Sequence, residues 1–208
     1  MSSVATTQTW GAAEAPVQRP LLRGIHHLAI NTDDLRTSLD FYVRVLGMPL
    51  VHGLQTGTKK KSSQAGNPPF PGIPHYFVDM GGDSLLAFFE YPRGAVEKAD
   101  RNTIGAMQHC AFVCSPSRFI DMQERLKRNG VEIVYGPHVV MEPNVQAFYF
   151  FDPHGIRLEI SADMDGDEED LGVVRSAAYD RDTMRRELLK ISDDEAWIES
   201  MLENIVEI

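Results

Sequence analysis

Two stretches of this chain spell the same order of elements. Ile25-His26-His27-Leu28-Ala29-Ile30 has the apolar and β-branched content of a short strand. Asp33 or Asp34 can cap a following helix, in which Leu35, Leu39, Tyr42, Val45 and Leu46 recur at helical spacing and which Gly47 closes. Pro49-Leu50-Val51 opens a second strand. Residues 52–74, rich in Gly, Pro and Lys and without periodicity, read as a long loop of the kind that covers a binding site. Strands over 75–80 and 85–91 come next, joined at Gly81-Gly82-Asp83. The second half repeats the order: strand 107–113, helix 116–128 with Phe119, Ile120, Met122 and Leu126 on one face, strand 131–135, loop 136–145, strand 147–151, the turn Asp152-Pro153-His154-Gly155, and strand 156–160. His27 and His109 hold the same place in each copy, 82 residues apart. Half-modules of about 60–70 residues bury too little apolar surface to stand alone, so the two are expected to pair. The expected fold is α+β: two paired βαβββ modules, 23–95 and 104–163, forming a curved mixed sheet, with a flexible arm at 1–22 and an acidic linker and C-terminal helices at 164–208.

Charge separates the duplicated body from the C-terminal segment. Residues 1–159 carry 15 acidic and 15 basic side chains, and residues 160–208 carry 15 and 5, so the net charge of −10 belongs to the last 49 residues. The acids of 163–170 suit a solvated linker, and the stripe Trp197, Met201, Leu202, Ile205 and Val206 suits a helix docked on the body or on a second subunit. An acidic chain whose only basic run is Lys59-Lys60-Lys61 argues against binding nucleic acid. No apolar run is long enough to span a bilayer, and the N-terminus lacks the pattern of a secretory signal. Cys110 and Cys114 provide neither a disulfide framework nor a four-cysteine zinc site, so the expected compartment is the cytoplasm.

His27, His109 and Glu159 are the candidate metal ligands. Two stand at equivalent points on the opening strands, the third on the last strand of the second copy. Two imidazoles and one carboxylate on one face leave three positions open on an octahedral ion, which suits non-haem Fe(II) binding both a chelating substrate and dioxygen. The same donors can hold zinc or manganese as a Lewis acid.

The segments around these residues are similar to those of a known superfamily. His26-His27-Leu28-Ala29-Ile30 with Leu35 and Phe41-Tyr42 to Leu46-Gly47, His109-Cys110-Ala111-Phe112, and Phe148 to Glu159 with its Asp-Pro-x-Gly turn resemble the vicinal oxygen chelate superfamily over about residues 24–162. That superfamily contains glyoxalase I, methylmalonyl-CoA epimerase, fosfomycin thiol transferases and type I extradiol dioxygenases. The resemblance implies two βαβββ modules around a metal, often in a homodimer. Where several relatives place a fourth ligand, a glutamate, this chain has Leu86 or Ala87, and Glu90 lies too late. A three-ligand site resembles the dioxygenases and thiol transferases more than glyoxalase I. Tyr149 matches a substrate-facing tyrosine of both. His138 matches a histidine that contacts substrate or oxygen in the dioxygenases, with a slightly longer gap. Their acid/base histidine is replaced by Ser84, with His75 nearby as a substitute.

Phe88, Phe89, Phe148, Phe150 and Phe151 beside the site, and a strand set offering only Arg157 to a phosphonate, favour a planar aromatic guest. The expectation is an Fe(II)-dependent extradiol-type dioxygenase of aromatic catabolism. It would take a catechol-like substrate and dioxygen, with His138, Tyr149 and His75 as catalytic groups, in a homodimer or higher oligomer. The alternatives are a Lewis-acid isomerase, lyase or thiol transferase using Mn(II), Zn(II) or Ni(II), and a non-catalytic binding module of the same scaffold.

Overall fold

The computed structural model describes residue 20, residues 22–57 and residues 68–206. The arm through residue 19 and the run Lys59-Lys60-Lys61 lie outside the described residues. The chain divides into a unit of residues 24–176 and a unit that contains the residues from 177 onward.

The larger unit holds both repeats. In the first, β1 (His27–Thr32) leads into α1 (Leu35–Leu39), which continues as a π-helical stretch over Asp40–Val45. Asp34 caps α1, its Oδ1 accepting from Thr37 N at 3.0 Å, and Glu90 accepts from Leu35 N at 2.9 Å. Glu90 therefore serves the helix start, where its charge meets the free N–H groups of the first turn. Strands β2 (Leu50–Gln55), β3 (Pro74–Gly81) and β4 (Ser84–Glu90) complete a sheet ordered β1-β4-β3-β2, with β1 parallel to β4 and the remaining pairs antiparallel. The second repeat gives β5 (Cys110–Val113), α2 (Pro116–Arg128), β6 (Tyr135–Met141), β7 (Val145–Phe151) and β8 (Arg157–Asp163), ordered β5-β8-β7-β6 with the same sense of pairing.

The fold class agrees with the sequence, as α+β with two βαβββ modules, while three details differ. First, β2 runs to Gln55, where the sequence predicts a loop from residue 52. Gly53 belongs to the strand because a Cβ there would sit 2.6 Å from the Tyr76 ring. Second, the strand expected over 131–135 lies at 135–141, across Gly136-Pro137. Gly136 has φ +90°, and its missing Cβ leaves room for the Ala147 carbonyl; two register shifts let the strand pass. Third, the modules form two four-stranded sheets, and no ladder joins them among the described residues.

Strand alternation gives each sheet an inner and an outer face. The inner residues Ile30, Val78, Leu86 and Phe88 of one sheet and Phe148, Phe150, Leu158 and Ile160 of the other share a single apolar cluster with Phe41, Tyr42, Phe119 and Leu126 from the helices. The modules are thus packed back to back. Tyr42 donates to Asp152 Oδ2 at 3.1 Å, and Arg125 donates to Arg44 O at 2.8 Å, tying each module's helical segment to the other module. The outer faces point away from this core. Among the described residues β1 and β5 are sheet edges, and Leu54, Val113 and Tyr135 on the outer faces are each more than 40% exposed.

Residues 165–170 of the acidic segment are exposed, and one of its acids caps the second module's helix. Glu168 accepts from Ser117 N at 3.0 Å and from Ser117 Oγ at 2.7 Å at the start of α2. A short helix, α3 (Val173–Ala177), comes next. In the C-terminal unit, α4 (Arg181–Leu188) and α5 (Glu195–Leu202) are capped by Asp180 and Asp194. Arg185 pairs with Glu195 and Glu199. The buried positions of α5 are Ile198 and Leu202, while Met201 is exposed, so the apolar stripe is turned from the expected one. Among the described residues, no helix is long and apolar enough to cross a membrane.

Candidate metal centre

The outer face of the second module carries the pair expected from sequence. Glu159 sits in β8 opposite Ala111 of β5 and Tyr149 of β7, so all three share one face. His109, just before β5, points its Nε2 at Glu159 Oε2 across 2.9 Å. Glu159 is buried and His109 is one-third exposed. The residues around them fix their orientation. Ser161, two positions along the same face, donates to Glu159 Oε1 at 2.7 Å, and the amide oxygen of Gln108 accepts from His109 Nδ1.

At 2.9 Å the two groups make an ion pair or hydrogen bond through a proton on Nε2, and the same spacing suits two donors of one metal ion. Two donors each about 2.1 Å from one ion and at a right angle to each other stand about 3 Å apart, which is the spacing seen. The pair therefore fits a divalent metal. Tyr149 lies beside it, its ring 5.9 Å from that of His109. Burial and the hydrogen bond and charge of Glu159 push its pKa up to about 12, so its hydroxyl keeps its proton at neutral pH. His138 stacks beside Tyr149 at 6.0 Å and against Tyr135 at 4.2 Å, and its buried Nδ1 has no partner. Among the described residues this imidazole nitrogen, across Tyr149 from the donor pair, is left for a water or ligand to satisfy.

The first module carries the other two expected residues. His27 is exposed on the outer face of β1, with His26 Nδ1 2.8 Å from its own Nδ1 and the Phe77 ring 5.9 Å away. His75 is buried in β3, stacked flat on Phe89 at 3.7 Å, and donates from Nδ1 to Phe88 O at 3.0 Å. Burial first, and the neighbouring His27 and His52 next, hold its pKa below the usual histidine value. His75 is therefore a neutral imidazole with a free Nε2. Ala87, on the same face, is fully buried and has no ligating atom. Ser84, at the position that the resemblance gives to a histidine, donates to Ile25 O at 2.6 Å and holds the start of β1.

Two of the three expected ligands meet, and His27 does not join them within one chain. Among the described residues, no three His, Cys, Asp or Glu side chains converge on a metal-sized site. The reason is the back-to-back packing, which sends the two outer faces in different directions. Nor does His75 stand with Tyr149 and His138, which lie on the other module's face. Sequence reasoning misses Ser161 and Gln108, whose only signal is their spacing from Glu159 and His109. The turn residue His154 is largely buried. Its ring is 13% exposed, with Nε2 within 3.0 Å of the Thr32 and Ser38 hydroxyls, because the buried Asp152 accepts from His154 N and Ile156 N and pins the turn against the first module.

Comparison with known proteins agrees with this architecture. A crystal structure of a glyoxalase/dioxygenase from Nostoc punctiforme superposes with a TM-score of 0.52 at 23% identity, covering 73% of this chain and 99% of that one. A glyoxylase/bleomycin resistance protein/dioxygenase domain from Frankia sp. EAN1pec gives 0.55 at 18% identity, over 70% and 96%. Among curated proteins, the "Putative ring-cleaving dioxygenase MhqA" of Bacillus subtilis (strain 168) is 37% identical over 92 residues, which is 41% of this chain and 25% of that protein. This chain thus matches about a quarter of that relative's length. The family model for the glyoxalase/bleomycin resistance protein/dioxygenase superfamily matches residues 24–160, the whole of the duplicated body except its last strand end, and the chain belongs to that superfamily.

Proposed function

We propose that the protein is a metal-dependent oxygenase, an extradiol-type dioxygenase that cleaves the ring of a catechol-like substrate. The observation that carries this reading is the 2.9 Å apposition of His109 and Glu159 with a phenol and an unpartnered imidazole beside it. The name of the Bacillus relative supports the same chemistry. His109 and Glu159 would hold Fe(II), which would supply the redox chemistry with dioxygen that ring opening requires.

The chain's own residues divide the remaining work. Glu159 contributes the single negative charge, with Ser161 holding its second oxygen. Tyr149 and His138 offer a hydroxyl donor and a ring nitrogen to the substrate. His27 completes the ligand set from a second copy of the chain, whose first-module face lies on the second-module face described here. The sheet edges β1 and β5 and the exposed Leu54, Val113 and Tyr135 suit such a pairing. In that arrangement His75, neutral and with Nε2 free, stands on the incoming face as the base.

Anaerobic loading with Fe(II), followed by catechols in air, tests the reading. Oxygen uptake in step with a ring-opened product supports it, and intact iron binding without uptake removes it. Ser84 in place of the acid/base histidine favours one rival, Lewis-acid isomerisation or thiol addition. Turnover with Zn(II), Mn(II) or Ni(II) in the absence of oxygen selects that rival.

A further inference from the structure

Beside the donor pair, two guanidinium groups stand over neighbouring rings of one strand. Tyr149 and Phe151 are two residues apart on β7, so they share its outer face about 7 Å apart. The Arg157 guanidinium lies 4.1 Å from the centre of the Tyr149 ring, and the Arg101 guanidinium 5.4 Å from that of Phe151. Arg157 comes from β8, paired in register with Phe151, and Arg101 from the segment that joins the modules. A cation–π contact takes up none of a guanidinium's N–H groups as hydrogen-bond donors, so they stay available to an anion.

Neither arginine is neutralised by a carboxylate among the described residues. The hydrogen bond from Arg157 to Gln108 Oε1 is 3.5 Å long, and Glu159 is engaged by His109 and Ser161. Both arginines line a cavity of about 400 Å³, together with Lys98 and an apolar wall of Ile30, Val96 and Ile156. Two acids line it as well, Glu97 and Asp33, the latter facing His154 at 3.6 Å. That volume suits a small organic molecule with an apolar body, not a bare ion. Arg157 borders both this cavity and the ring beside the donor pair.

We propose that Arg157 and Arg101 form an anion subsite, and that the substrate is an aromatic acid whose carboxylate they take. The position of its ring oxygens rests on the ring-cleavage reading, and the anion subsite itself does not. Arg157 fixes the distance between the carboxylate and the reacting oxygens, while Arg101 adds the second charge from across the cavity.

Two assays on the full chain test the two claims separately. Phenylacetate is titrated into chelator-treated protein, and 3,4-dihydroxyphenylacetate is compared with 4-methylcatechol as a substrate of the Fe(II)-loaded protein. The expected result is that Arg157→Gln and Arg101→Gln each weaken phenylacetate binding about tenfold or more, and lower the ratio of kcat/KM for the acid over the neutral catechol by a similar factor. Arg101 is exposed and lies in no strand or helix, so its substitution decides the matter if Arg157→Gln fails to fold. Phenylacetate binding that ignores both substitutions overturns the subsite. Equal cleavage of both catechols overturns the aromatic acid as substrate and leaves the ring-cleavage reading standing. Arginine-dependent phenylacetate binding in a protein that cleaves neither catechol supports the subsite and overturns ring cleavage alone.

Discussion

The two outer faces descend from one plan and have been given different electrostatics. The second module's face sets a carboxylate against an imidazole and surrounds them with a phenol, two hydroxyl- or amide-bearing partners and a guanidinium. The first module's face gathers His27, His52 and His75 around Phe77, with Ala87 where an acid would ligate and its carboxylate, Asp79, further along β3 and accepting from Gly81 N. One carboxylate on a divalent ion leaves a net positive charge, and two would cancel it. A centre built from these faces therefore retains attraction for an anionic chelating ligand, and a symmetric centre with an acid on both faces would not.

The strongest way to break this comparison is to exchange the acids. Glu159→Gln should abolish iron retention and turnover, measured as iron per chain after anaerobic loading and as oxygen uptake. Ala87→Glu should leave iron bound and depress turnover of a catechol, because the added charge occupies a position that the substrate's oxygens need. Next in size is a test of how the faces meet. His27→Ala and Glu159→Ala chains are each inactive alone, and co-refolded they should recover about a quarter of wild-type activity, since half the random dimers hold one intact centre of two. No recovery would sink the pairing of faces from two copies. A smaller effect is expected at Ser161→Ala, which frees one oxygen of Glu159 and should weaken metal affinity about 10–100-fold in a competitive chelator titration.

The turns differ as the faces do, and here the expected effects are smallest. Asp152 of the second module is buried against Tyr42 of the first module, while Asp83 in the first module's turn is exposed. Tyr42→Phe should cost about 1–3 kcal/mol in urea unfolding, since it leaves a buried acceptor short of a donor, and Asp83→Asn less than about 0.5 kcal/mol. Burial raises the pKa of Asp152 above its ordinary 3.8, outweighing the backbone N–H groups that lower it. The folded state then holds this proton more tightly than the unfolded state does. Stability from this group falls as pH rises from 3.8 through the folded pKa, and the cost is fully present above it. Asp152→Asn should remove that slope.

Much of this is legible in the sequence, and the parts that are not have physical causes. The duplication, α2, β7 with its turn, and the residues His109 and Glu159 follow from periodicity and matching position, which are local properties. β6 and the end of β2 are hidden because Gly136-Pro137 and Gly53 resemble turn residues. Their glycines are in fact demanded by a neighbouring backbone and by the Tyr76 ring, contacts that only the pairing reveals. The site is half legible. Strand alternation sets His27 and Glu159 on the face away from the core residues of their own strands, and that alternation fits modules laid side by side or back to back. Only the shared core of Phe41, Tyr42, Phe148 and Phe150 distinguishes them.

Back-to-back packing has a kinetic consequence. If each polypeptide carries the halves of two centres on opposite sides, making a working centre is a second-order event. Specific activity would then fall on dilution and return on concentration, and a bound substrate or metal would act as glue between copies, drawing the association constant upward by the free energy of its own capture.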